Sequence, residues 1–299
     1  MNPTTRVDLA NGSARATIST LGAEPQGWEV DGHSLIWPGD PAWWAKQSPI
    51  LFPVVGWTRN GEMRIKGKRY PLGLHGFASA QEFEVVECST ESVRMRLAEN
   101  AATHALYPFA FTLEVLYTLT PTSLSAYFTV GNPGTEPMPY ALGFHPGFVF
   151  SLAGGSPQAH EVVFDKRVSP QVPRIAPGGL IASASRKVPL EDGRLHLAPE
   201  LFENDALCFL EAASPNVAYV NGRGQGIEIS AENFPHVALW TKPGAPFLCI
   251  ECWTGHSDPE GFAGDIFEKP SIRSLEPGAS ARHGVTYRWR SASTGSSDR

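Results

Sequence analysis

Thr112-Leu-Glu-Val-Leu-Tyr-Thr-Leu119 and, just beyond it, Leu124-Ser-Ala-Tyr-Phe-Thr-Val130 largely alternate apolar and polar side chains. Successive side chains of an extended chain point to opposite faces, so this period of two marks half-buried β-strands. The same pattern recurs in Arg15-Ala-Thr-Ile-Ser19, Gln81-Glu-Phe-Glu-Val-Val-Glu87 and Ser92-Val-Arg-Met-Arg-Leu97. Between such runs stand turn signals, among them Asn11-Gly, Asp31-Gly, Asn60-Gly, Lys66-Gly, Asn132-Pro-Gly and Asn221-Gly. They are spaced for hairpins, and hairpins pair strands antiparallel. No long stretch keeps a 3.6-residue apolar period, and 26 prolines and 29 glycines interrupt most candidates. The reading is an all-β, antiparallel protein with few short helices.

Of 299 residues, 42% are hydrophobic and 18% charged, enough for a large core. Residues 151 to 200 are looser, with Ser151-Leu-Ala-Gly-Gly-Ser-Pro and Pro173-Arg-Ile-Ala-Pro-Gly-Gly, but strand-like runs resume after residue 205. One domain over 1–290 with an elaborated middle is expected, followed by a disordered tail over 291–299, Ser-Ala-Ser-Thr-Gly-Ser-Ser-Asp-Arg. The net charge is −6, with 24 basic against 30 acidic residues, and no dense basic cluster could neutralise a phosphate backbone. Nucleic acid is therefore not an expected partner. No signal-like apolar stretch opens the chain and no eighteen apolar residues run together, so a soluble, cytoplasmic protein away from membranes is expected. Cys249-Ile-Glu-Cys252 has the spacing of redox and zinc motifs but lies in an apolar, strand-like run with no second pair, so it reads as two cysteines packed in a strand.

Three segments set a titratable side chain among apolar and glycine neighbours: Leu74-His75-Gly-Phe77, Gly143-Phe-His145-Pro-Gly147 and Cys249-Ile-Glu251-Cys-Trp-Thr-Gly255. Pro146 pushes His145 into extended backbone and can donate nothing to a ladder. Pairing should lapse there, by a bulge or break that re-aims His145 as an acid or base. Glutamate is rarely buried without a partner or a task, and burial would lift the Glu251 pKa toward a general base's range; a structural ion pair is the competing reading. His75 alone reads first as a hydrogen-bonded core histidine, although Gly76 beside it could let a ligand come close.

Taken in order, these segments resemble the aldose 1-epimerase (galactose mutarotase-like) family, especially the branch similar to the LacX proteins. The resemblance rests on Ser48-Pro-Ile-Leu-Phe-Pro-Val-Val-Gly56 with Tyr70-Pro-Leu-Gly-Leu-His-Gly-Phe77, on Pro137-Met-Pro-Tyr-Ala-Leu-Gly-Phe-His-Pro-Gly-Phe148, and on Phe247-Leu-Cys-Ile-Glu-Cys-Trp-Thr-Gly255. It implies a large antiparallel β-sandwich, the supersandwich of that family, whose concave face binds a sugar and interconverts aldose anomers without a cofactor. It further implies Glu251 as base, His145 as acid, His75 as a second histidine near the ring oxygen, and Asp205 as a carboxylate for sugar hydroxyls; a turn role for Asn204-Asp205 competes.

Trp57 departs from the family, which commonly carries arginine after the glycine matching Gly56. Arg59, two residues on and on the same side of an extended chain, is expected to supply that donor. Cys252 replaces a common proline, on the face opposite Glu251. Of Trp43, Trp44, Trp57, Trp240 and Trp253, one or two are expected at the pocket, with Trp57 and Trp253 favoured as sugar-stacking residues. The basic run Arg59, Arg64, Lys66, Lys68 and Arg69 suits a phosphorylated hexose but reads first as a solvated hairpin. A non-catalytic carbohydrate-binding protein would keep the same fold without turnover, and a metal-dependent enzyme would use His75, His145 and Glu251 as ligands; no metal ligand set is assigned.

Overall fold

The computed structural model describes residues 5–150, 152, 160–210 and 216–291. The two runs that alternate most cleanly are neighbours: Thr112–Leu119 lies antiparallel to Ser123–Gly131, with Val115 opposite Phe128 and Tyr117 opposite Ala126. Leu113, Val115, Tyr117 and Leu119 are buried while the residues between them stay half-exposed, as the period predicts. They belong to a ten-stranded antiparallel sheet in the order Leu190–Glu191, Arg194–His196, His160–Phe164, Asn216–Asn221, Gly226–Glu232, Ser280–Arg290, Ser123–Gly131, Thr112–Leu119, Ser92–Ala98 and Glu84–Cys88.

Against one face of this sheet lies a six-stranded sheet. Its order is Leu207–Phe209, His236–Trp240, Phe247–Trp253, Gly143–Phe144 and Ile50–Leu51, and Gly147–Val149 also pairs with Phe247–Trp253. Aromatic rings weld the layers: Phe144 meets Tyr287 at 6.0 Å and Phe128 at 5.5 Å, and Phe148 meets Tyr287 at 5.2 Å, between ring centroids. Burying each such ring contributes about 1.5–3 kcal/mol. A four-stranded sheet, Arg6–Asn11, Ala14–Ser19, Pro25–Val30 and His33–Ser34, adds to the same core. Asp31-Gly32 and Lys66-Gly67 turn their hairpins with φ of 50° and 78°, and of 48° and 77°, the two positive values that a tight hairpin turn needs.

The fold is the antiparallel sandwich that the sequence predicts, and among the described residues it holds one α-helix, Ala101–Leu106, capped by the Asn100 side chain. One strand departs from its reading. Glu84–Cys88 is exposed along its whole length although its sequence alternates. It is the outer edge of the ten-stranded sheet, kinks between Val85 and Glu87, and carries Glu84 and Glu87 paired to Arg96 and Arg94, which is how edges avoid further pairing. The loose middle of the sequence contains a hairpin, Gln171–Ala176 with Leu180–Lys187, that reaches the concave side of the six-stranded sheet. Residues 292–299 of the expected tail lie outside the described residues.

A buried histidine ties sheet to loop. His283, 1% exposed, stands between the Tyr140 hydroxyl at 3.0 Å and the Asn233 carbonyl at 3.0 Å. Burial pushes its pKa down to about 4. Unfolding frees it to bind a proton anywhere between about pH 6.5 and 4, so the unfolded state holds more protons there and stability falls as pH falls through that window. Tm should drop from pH 7 to pH 4.5, and the slope of Tm against pH should be shallower in His283→Gln; an unchanged slope would show that this ring is not a source of acid sensitivity.

Candidate active site

All seven residues of Phe247–Trp253 are buried, because both faces of this strand are covered. Leu248, Ile250 and Cys252 pack into the core between the sheets, so Cys249, Glu251 and Trp253 face the concave side. Cys249 and Cys252 are free thiols buried in the strand, and Cys252 turns away from Glu251. Across from this strand, Gly143 and Phe144 pair with Trp253 and Cys252, and Gly147 and Phe148 pair with Cys249 and Leu248. Pairing lapses at His145-Pro146, as proline demands, but the register is identical on both sides of the gap. No bulge re-aims His145; the unbroken register sets it directly opposite Glu251, as neighbours across the sheet. A Cβ on Gly143 would stand 3.0 Å from Trp253 Cδ1 and 2.8 Å from Leu51 Cδ1, so glycine leaves the space that the indole occupies.

His145 Nε2 lies 3.2 Å from Glu251 Oε1. Trp253, two residues along the strand and on the same face, donates its indole N–H to Glu251 Oε2 at 2.9 Å. The two residues are 7% and 1% exposed. Burial holds the Glu251 pKa well above its ordinary value, against the Trp253 hydrogen bond and with help from the Asp205 charge; burial also drives the His145 pKa well below its ordinary value. Both shifts favour uncharged partners. A carboxylic acid beside a neutral imidazole carries as many protons as a carboxylate beside an imidazolium. Moving one proton across the 3.2 Å contact therefore turns the resting pair into a base and an acid.

His75 is held by backbone at both ends. Its N–H donates to the Gly56 carbonyl at 2.9 Å, and its Nδ1 accepts from the Gly56 N–H at 3.0 Å, with a left-handed φ of 64° at His75. Nδ1 is thus an acceptor, the ring is neutral, and its proton sits on Nε2. Burial, and secondarily the Lys46 charge, push its pKa down to about 3. Its ring stands perpendicular to that of His145 at 5.6 Å.

These three residues line a concave cavity of about 380 Å³, within the size range of small-ligand sites. Trp44 stacks on His145 at 4.9 Å and Trp240 meets it edge-on at 5.8 Å. Trp57 and Trp253 also line the cavity, so four of the five tryptophans reach it and only Trp43 does not. Trp57 rests on Gly179, at the tip of the hairpin within the loose middle. Asp205 lines the far side, in a turn with φ of 71° and its Oδ1 accepting the Ala206 N–H at 2.7 Å.

Arg59 does not line the cavity. Thr58 is extended, but Arg59 opens a short 3-10 turn, Arg59–Gly61, and the guanidinium donates to the Gly261 and Phe262 carbonyls at 3.1 and 3.3 Å. The basic run beyond it forms the hairpin Glu62–Ile65 with Lys68–Pro71, where exposed Lys66 and Arg69 pair with Glu136 and Glu62. Among the described residues no three or more His, Cys, Asp or Glu side chains gather as a metal site.

Asp258 knots the loops around the cavity together. Its N–H donates to the Trp57 carbonyl at 2.8 Å, its Oδ2 accepts the Arg59 N–H at 2.8 Å, and its carbonyl accepts the Ile181 N–H of the hairpin at 3.0 Å. Its remaining oxygen, Oδ1, pairs with Lys269 Nζ at 2.8 Å, both side chains being almost wholly buried. Removing one partner strands a buried charge, which costs about 3–5 kcal/mol. Lys269→Met should therefore lower unfolding stability by about that much in urea titration; a loss below about 1 kcal/mol would show that the knot holds without the pair.

The antiparallel sandwich is shared with galactose mutarotase-like proteins. The sequence profile for aldose 1-epimerase matches residues 5–288, and the chain belongs to that family. It is 31% identical to the plasmid-borne protein LacX of Lactococcus lactis over 283 residues, covering 91% of this chain and 95% of that one. The structure is similar to that of a galactose mutarotase-like protein from Lactobacillus casei, with a TM-score of 0.89, 28% identity, and 96% and 100% of the two chains covered. A galactose mutarotase related enzyme from Lactobacillus acidophilus gives 0.88 at 29% identity, over 96% and 98%. Family membership supports a sugar epimerase, and among the described residues no helix is long and apolar enough to cross a membrane.

Proposed function

We propose that the protein is a mutarotase, interconverting the α and β anomers of an aldose. The observation that carries this reading is the buried His145–Glu251 contact of 3.2 Å. A cyclic hemiacetal opens when its anomeric hydroxyl loses a proton as its ring oxygen gains one, and both oxygens are bonded to one carbon. An acid and a base in direct contact match that pair of targets.

In this mechanism Glu251 takes the hydroxyl proton and His145 delivers its proton to the ring oxygen, while the bond between that oxygen and the anomeric carbon breaks. The free aldehyde rotates about its bond to the next carbon. Reclosure on the other face returns each proton with the roles exchanged, so the cycle is balanced by these two groups and calls on no cofactor. His75 offers its Nε2–H near the ring oxygen, Trp253 keeps the carboxylate in plane with its indole N–H, and Asp205 accepts from hydroxyls at the Glu251 side. The tryptophans supply apolar faces for sugar C–H groups. Residues 1–290 act as one catalytic domain on this reading.

Polarimetry of freshly dissolved α-D-glucose and α-D-galactose tests it. Optical rotation should relax to equilibrium faster with protein present. No acceleration with folded protein and any of a panel of aldoses would overturn the reading in favour of a sugar-binding protein without turnover.

A further inference from the structure

Lys46 is a cation at the cavity that the proposed chemistry does not use. It lines the same cavity as His75 and His145, is exposed there, and its Nζ donates to the Ser79 hydroxyl at 3.1 Å. Among the described residues it forms no ion pair with a carboxylate. Ser79 stands in the short turn Ala78–Ala80 that follows His75-Gly76-Phe77, so the turn that fixes the second histidine also fixes this hydroxyl. An ammonium with donors to spare, beside a hydroxyl whose hydrogen is free to point elsewhere, makes a receptor for an oxyanion.

The position of this receptor follows the polarity of a sugar ring. The ring oxygen is bonded to the anomeric carbon on one side and, on the other, to the carbon that bears the exocyclic substituent. An acid that protonates the ring oxygen therefore faces that substituent as well. Lys46 lies on this histidine side, bound to Ser79 in the turn after His75-Gly76, which pairs with Phe52 at the Ile50–Leu51 end of the six-stranded sheet; Asp205 immediately precedes Leu207–Phe209, the strand at the opposite end. An anionic sugar is drawn to one end of the cavity and repelled from the other.

We infer that the substrate is an acidic aldose, whose carboxylate or phosphate on the exocyclic carbon beside the ring oxygen is received by Lys46 and Ser79. The inference rests on the mutarotase reading for the direction of the ring and names the substrate class within it. It places the anion at Lys46, not on the basic hairpin of residues 62–71.

Binding and turnover separate the two ideas. The cavity tryptophans report occupancy by fluorescence, so D-glucose, D-glucuronate and D-glucose 6-phosphate, with their galactose counterparts, can be titrated into wild type, Lys46→Gln and Lys46→Arg. At least one anion should bind wild type about ten-fold more tightly than its neutral parent, a factor in keeping with one charge-assisted contact at a partly exposed site. Lys46→Gln should bring that ratio close to one, and Lys46→Arg should keep most of it. A preference confined to uronates or to phosphates identifies which oxyanion the site takes. Equal or weaker binding of every anion in wild type, or an unchanged ratio in Lys46→Gln, would overturn the inference. Anions bound through Lys46 without accelerated anomer exchange would support this subsite and sink the mutarotase reading; exchange of neutral aldoses with no anion preference would do the reverse.

Discussion

Glu251→Gln is expected to lower kcat for anomer exchange by about 10³-fold while leaving sugar affinity within a few-fold. The amide is the same size as the carboxyl and its carbonyl can still accept the Trp253 indole N–H, so the strand and cavity should be undisturbed. What disappears is a group able to hold the hydroxyl proton. Turnover near wild type in a folded variant would remove Glu251 from the mechanism.

His145→Asn should cost a similar factor, about 10²- to 10⁴-fold, because asparagine offers hydrogen bonds but no transferable proton. The wild-type pair is competent only with its full complement of protons and no more: one proton fewer leaves no acid, one proton more leaves no base. Its kcat/KM should follow a bell-shaped pH profile whose limbs belong to the pair jointly. In His145→Asn the limb that reports loss of the acid should flatten, while Trp44 loses the imidazole stacked on it. A bell of unchanged shape and height would assign the acid elsewhere.

The sandwich could be read from sequence wherever one face of a strand meets the core and the other does not. Thr112–Leu119 is that case, and Glu84–Cys88 shows the limit: an edge strand can alternate without a layer to bury it. His145 and Glu251 stood out because proline and burial each leave a trace in the residues beside them. Arg59 misled because its placement assumed a continuing strand, whereas it opens a 3-10 turn and its guanidinium is taken up by the Gly261 and Phe262 carbonyls. Lys46 and Ser257 gave no warning, and Trp44 and Trp240, though among the five candidate tryptophans, were not the favoured ones. They reach the cavity from loops or strand ends, where neither period nor spacing says which way a side chain points. Trp43 and Trp44 differ in sequence by nothing but one position, yet only the second faces the site.

The register that carries through Pro146 works as a ruler. His145 and Glu251 owe their separation to the fixed spacing of neighbouring strands, about 4.8 Å, and not to a loop that can flex. Such a ruler tolerates exchange of side chains but not a change of count. One residue inserted or deleted between Phe144 and Gly147 would slip the later strand by one place and exchange its two faces, swinging Phe148 toward the cavity side and its neighbours into the core. The hairpin over the cavity, Gln171–Ala176 with Leu180–Lys187, lies outside this ladder, so a change in its length would leave the spacing of His145 and Glu251 untouched.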